Sequence, residues 1–132
     1  MSFSNYLELK FLDLAWGAVA FTAPVTVYAA LYTAAPSDSG GGTEATGGAY
    51  ARVAITNNAT NWPAAASGAK SNGTVITFPT ATANWGTVTH FGVFDAATAG
   101  NLLNWGALTT SQAVNTGATP SFAAGALSIT LD

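Results

Sequence analysis

The chain has no cysteine, a single histidine (His90), and only three basic and six acidic side chains in 132 residues. Without cysteine there is no disulfide framework, no thiolate nucleophile and no Cys/His spacing for a zinc module. Acid–base and metal chemistry need clusters of ionisable groups, so a chain this poor in them has little from which to build an active site. Charged residues make up 7% of the sequence, against about 25% in an ordinary soluble domain. Much of the surface must therefore be Ala, Thr, Ser, Asn and Gly, which suits a protein held against others.

Basic residues are equally scarce. Lys10, Arg52 and Lys70 are scattered rather than gathered into a patch interleaved with aromatics, so nucleic acid is not an expected partner. The uncharged stretch from Leu14 to Ser37 is interrupted by Gly17 and Pro24, and it lacks flanking basic residues. No membrane span is expected from it. The first ten residues hold one acid and one base where a signal peptide has a cationic region, so the chain is expected to be made in the cytoplasm and soluble until assembled.

What is present is apolar, at 49% of residues, and short-range periodic. The length fits a single domain over residues 1–132, with a helix over 5–18 followed by a sandwich over 25–132. Asn5 and Glu8 have the spacing of an N-cap and its reaching-back acid; Leu7, Phe11, Leu14 and Ala18 then share one helical stripe, which Gly17, Thr22 and Pro24 would end. From Val25 the period changes to two, with Val25, Val27, Ala29 and Leu31 on one side and Thr26, Tyr28, Ala30 and Tyr32 on the other. Further strands are predicted at Tyr50 to Thr56, Thr74 to Phe78, Gly86 to Phe94, Leu102 to Leu108 and Ala126 to Leu131. Several short strands and one helix indicate a mainly β fold, an antiparallel β-sandwich or jelly roll with one short N-terminal helix.

His90, with Asp95 and a serine such as Ser39 or Ser111, could form a triad only by a geometry that no local motif announces. Alternation puts His90 beside Gly92 and Phe94 on a strand face, and Asp95 opens a turn whose backbone N–H groups its carboxylate can cap. Asp38 and Glu44 flank Ser39-Gly-Gly-Gly-Thr43, which has neither the Gly-Lys-Ser/Thr of a phosphate loop nor the alternate acids of a calcium loop. No catalytic, cofactor-binding or metal-binding residues are assigned, and no cofactor is expected. Trp62, Trp85 and Trp105 are candidate glycan contacts, since aromatic faces stack on sugar rings, although tryptophans in a small sandwich more often anchor a core or an interface.

Ordered segments along the chain carry a resemblance: Ala30-Leu-Tyr-Thr-Ala-Ala-Pro-Ser-Asp38, Gly40-Gly-Gly-Thr-Glu44, Gly47-Gly-Ala-Tyr-Ala-Arg-Val53, Ser71-Asn-Gly-Thr74, Ile76-Thr-Phe-Pro79, Trp85-Gly-Thr-Val-Thr-His-Phe-Gly92, Asn101-Leu-Leu103, Gly106-Ala-Leu108 and Pro120-Ser-Phe-Ala-Ala-Gly-Ala-Leu127. In these the chain resembles small structural proteins of tailed phages, commonly labelled tail-fibre proteins. It departs at Ala99-Gly100, where a glycine pair is expected. The resemblance implies a non-catalytic protein of the virion exterior, assembled in the host cytoplasm, serving as capsid decoration or cement or as a tail or fibre component; a host-glycan-binding module of the tail is the alternative. Its partners would be major capsid or tail proteins and further copies of itself, in a symmetric oligomer such as a homotrimer. Tyr6, Phe11 and Trp16 on the N-terminal helix are the candidate assembly contacts.

Overall fold

The computed structural model describes residues 2–131; Met1 and Asp132, the two ends of the expected domain, lie outside the described residues. In chain order the elements are β1 (Ser2–Phe3), α1 (Asn5–Trp16), β2 (Thr26–Ala34), β3 (Thr43–Glu44), β4 (Val53–Thr56), β5 (Ala69–Ser71), β6 (Ile76–Thr77), β7 (Gly86–Phe94), β8 (Leu102–Val114), β9 (Ser121–Phe122) and β10 (Ser128–Thr130). The protein is mainly β and antiparallel, with one short N-terminal helix. No helix among the described residues is long and apolar enough to cross a membrane.

The helix is capped one residue earlier than the Asn5–Glu8 spacing predicts. Ser4 is the N-cap, with its hydroxyl accepting from the Leu7 N–H at 3.2 Å and donating to the Leu102 carbonyl. The Asn5 N–H is meanwhile taken by the Asp38 carbonyl at 2.9 Å. Ser4 is buried, so one side chain starts the helix and fixes it to β8. Gly17 ends it, its N–H returning to the Asp13 carbonyl at 2.9 Å. Of the expected inward stripe, Leu7 is buried and Phe11 wedges between Phe3 and Phe21, with ring centroids 5.6 and 6.3 Å away. Leu14 and Ala18 are exposed; α1 packs mainly on β1 and β8 through its first turns.

The large sheet runs β1-β8-β7-β2-β3, with β4 also paired to β2. Alternation along β2 sorts its two faces as the sequence predicts from Thr26 onward; Val25, expected inward, precedes the strand and is exposed. Val27, Ala29 and Leu31 join Phe91, Val93 and Leu103 in the main core, which β5–β10, β6–β9, Trp62 and Trp85 cover. On the opposite face Ala30, Tyr32, Phe94 and Leu102 form a second, smaller cluster with Tyr28 and Trp105 against it. Gly92 makes this second cluster possible: a Cβ there would lie 2.9 Å from the Tyr32 ring. Asn72, fully buried, ties the two small sheets together by accepting from the Leu127 N–H and donating to the Thr74 and Ala123 carbonyls.

In β7–β8, Val88 faces Gln112 and His90 faces Ala107, so Leu108 through Ser111 oppose Thr89 alone and bulge outward. β8 therefore runs beyond the predicted end at Leu108. The turn after β7 holds Ala99 at φ +51° and Gly100 at φ +75°, both left-handed, which explains why the resemblance leads to glycine at both positions. Replacing Ala99 by glycine relieves the Cβ clash but loosens the unfolded chain. Ala99→Gly is expected to stabilise the protein by about 0.5 kcal/mol and raise its melting temperature by roughly 2 °C in calorimetry.

Candidate functional site

The ionisable groups are used locally. Asp95 accepts from the backbone and side-chain nitrogens of Asn101, each at 2.7 Å, and clamps its turn as expected. His90 Nδ1 lies 2.8 Å from Thr89 Oγ1, and its ring centroid is 6.0 Å from that of Trp105. Ser39 bonds to Ser37 at 3.0 Å, and Ser111 sits in the β8 bulge; no hydrogen bond joins either to His90 or Asp95 among the described residues. Asp38 accepts from the Trp105 indole at 3.0 Å, and hydrogen bonds from Ser2 and Trp105 hold its carboxyl below the usual range. Among the described residues no group of three or more His, Asp or Glu is placed to hold a metal.

Arg52 is the centre of the densest polar network. Its Nε and Nη2 meet the two oxygens of Glu44 at 2.9 and 2.8 Å, while Nη1 donates to the carbonyls of Ala96 and Ala99 at 3.0 and 2.8 Å. The guanidinium carbon lies 3.6 Å from the Phe94 ring centroid. Tyr50 donates to Glu44 at 2.9 Å and accepts from the Leu31 N–H at 3.1 Å. Burial, helped by the Glu44 charge, pushes the Tyr32 phenol up to about 12; burial pushes Tyr50 up still further. A polar groove of about 570 Å³ opens beside this network, bordered by Tyr6, Asp38 and the glycine loop. Gly42 is required there, because at φ +73° its Cβ would strike the backbone of Pro36 at 2.7 Å. The charges along the groove are already satisfied within the fold, so the network acts as a latch.

The four tryptophans have different fates. Trp85 is 4% exposed, edge-on to Tyr50 with its indole donating to the Gly48 carbonyl at 2.8 Å. Trp62 is 6% exposed, and its Nε1 is buried without a hydrogen-bond partner among the described residues. Neither presents a free ring face for a sugar, and Trp105 is half-buried on the other side of the sheet. Trp16, by contrast, is 84% exposed.

Trp16 does not stand alone. Leu9 (61% exposed), Leu12 (54%) and Trp16 recur at i, i+3 and i+7, forming a stripe on the side of α1 away from Leu7 and Phe11. Glu8 and Asp13 flank this stripe, and Val19 continues the exposed apolar surface. Among the expected assembly contacts, Tyr6 is half-buried with Lys10 Nζ 5.6 Å from its ring centroid, and Phe11, still 37% exposed, packs against Phe3 and Phe21 on the other side of the helix from Trp16. Sequence reasoning missed the outward stripe because it looked for a single apolar face. The repeat Leu9, Leu12, Trp16 was the available signal.

The family model described as podophage GP4 fiber I protein gp80 matches residues 2–130. The chain belongs to this family. No curated protein matches it. Membership makes the chain a phage fibre-type structural protein and a component of the virion, which accounts for an exposed apolar helix better than a free-standing soluble role does.

The latch of this fibre-family protein is expected to control its stability. Arg52→Ala leaves Glu44 unpaired beside Tyr50 and frees two turn carbonyls, so urea unfolding should show a loss of about 3 kcal/mol; Arg52→Lys should recover little of it, lacking the forked geometry. Above pH 10 the unfolded chain ionises its tyrosines, while Tyr32, held up to about 12, and Tyr50 stay neutral in the fold. Stability is therefore full below about pH 10 and falls as pH rises towards 12. Tyr32→Phe should flatten that decline.

Proposed function

We propose that the chain is a non-catalytic structural subunit of the particle exterior, built into the tail or its fibres, and that α1 is the element by which it docks on neighbouring virion proteins. The observation that carries this reading is the outward stripe of Leu9, Leu12 and Trp16 on a helix already fixed to the protein by Ser4 and Leu7. A free-standing protein gains nothing from three large apolar side chains in water, whereas burying each at an interface contributes about 1.5–3 kcal/mol. The fibre-protein family match favours a tail or fibre location over capsid decoration.

The polar groups support the same reading. Each of the three basic side chains is held against its own chain: Lys10 over Tyr6, Arg52 on Glu44, and Lys70 on the Pro63 carbonyl at 2.8 Å. No basic patch is offered to nucleic acid. From Ala96 to Leu131 there is no charged residue at all, which lets many copies lie side by side without mutual repulsion. A glycan-binding role draws less support, since Trp85 is closed into the core and Trp62 lines an almost wholly apolar crevice that offers a sugar's hydroxyls no partners.

A complementation experiment tests this. Phage lacking the wild-type chain would be grown with a Leu12→Ser/Trp16→Ser variant, whose changes sit on exposed positions and should leave its melting temperature within about 2 °C. Quantitative mass spectrometry of purified particles should find the variant missing. Incorporation at the wild-type level would reject α1 as the docking element.

A further inference from the structure

Beside α1 lies an apolar crevice of about 310 Å³, bounded by Phe11 of the helix, Val27 and Val93 of the large sheet, Trp62, and Ile129 and Leu131 at the end of the β5–β10 pair. Its lining is almost wholly apolar, so it offers water no adequate set of partners. Its volume equals that of about ten liquid waters, which is ample room for a ring system the size of indole. The rim carries Lys70, whose ammonium reaches only the Pro63 carbonyl; among the described residues the one salt bridge is Arg52–Glu44, so Lys70 has no carboxylate partner.

The complementary half is on the same chain. Trp16 is the most exposed large apolar side chain, and Asp13, one helical turn earlier on the same flank, has no ion-pair or hydrogen-bond partner for its carboxylate among the described residues. The helix cannot fill its own crevice, because Phe11 lines it from the inward side while Trp16 points the opposite way. Trp16 therefore cannot serve as the occupant within its own molecule.

Resting on the reading of α1 as the docking element, we propose that the partner is a second copy of this chain: Trp16 of one copy seats in the crevice of the next, and Asp13 pairs with Lys70 across the rim. Knob, hole and matched charges are then all supplied by one sequence. The crevice takes the buried anchor and the ion pair sets its orientation. Each copy both gives and receives, so two copies can satisfy each other reciprocally, or more can close a ring in which no crevice stays empty.

Sedimentation of the purified chain over a dilution series tests the proposal. Wild type should be a reversible oligomer, with Trp16→Ala weakening association at least roughly thirtyfold. Ala65→Trp, which fills the crevice from its exposed rim without touching α1, should weaken it comparably. Asp13→Lys and Lys70→Asp should each weaken association about three- to tenfold, and combining them should restore most of the loss. A wild-type monomer at about 100 µM, or charge reversals that merely add, would overturn the proposal. If wild type is monomeric yet the α1 variant is still absent from particles, the docking role of α1 stands and only the self-pairing falls.

Discussion

The Arg52–Glu44 pair is the constraint on which the open end of this fold depends. Through one guanidinium it joins β3, the turn after β7 and the Phe94 ring, and through Tyr50 it reaches the backbone of β2. The segments it gathers are those that local sequence holds least well: a glycine loop with three consecutive left-handed residues, and a turn with left-handed alanine and glycine. Two connections are thus set by a handful of charge-assisted bonds, with the guanidinium largely buried and the Glu44 carboxylate partly open to the groove. Burial keeps Tyr32 and Tyr50 neutral well past the range in which a free phenol ionises.

With the main ion pair turned inward, the rest of the surface is left nearly neutral. The chain has no charged side chain after Asp95 until its final residue, so the exposed part of β8 and the small sheets present hydroxyls, amides and methyl groups. On such a surface the helix stands out, apolar inward through buried Leu7 and part-covered Phe11 and apolar outward through Leu9, Leu12 and Trp16. An element that is apolar on two opposite sides is half-satisfied in a single molecule. For a fibre-family protein, the remaining half is the natural place for assembly energy to come from.

The period-two pattern of β2 and β7 was legible in the sequence, because both strands have a core face and residues enough to show it. Gly86 to Phe94 matches its predicted bounds, and the helix was legible to within two residues at its C-terminal end. The strands β1, β3, β5 and β9 were not, for they are two or three residues long and exist because a longer strand offers each an edge to pair with. The far half of β8 was hidden by its bulge, which breaks alternation where Leu108 to Ser111 oppose one residue. The cap moved from Asn5 to Ser4 because the Leu102 carbonyl, ninety-eight residues away, selects the serine. Long-range partners also separate the tryptophans: Trp62, Trp85 and Trp105 look alike in sequence, and only the fold assigns one to a crevice wall, one to the core and one to Asp38.

The most direct test of a fibre subunit assembled through α1 is an asymmetric cryo-EM reconstruction of the intact particle with this chain traced into the density. The expected result is density in the tail or its fibres, with Leu9, Leu12 and Trp16 buried in a contact between subunits. Density over the capsid lattice, or a helix whose outward stripe faces open solvent, would contradict it.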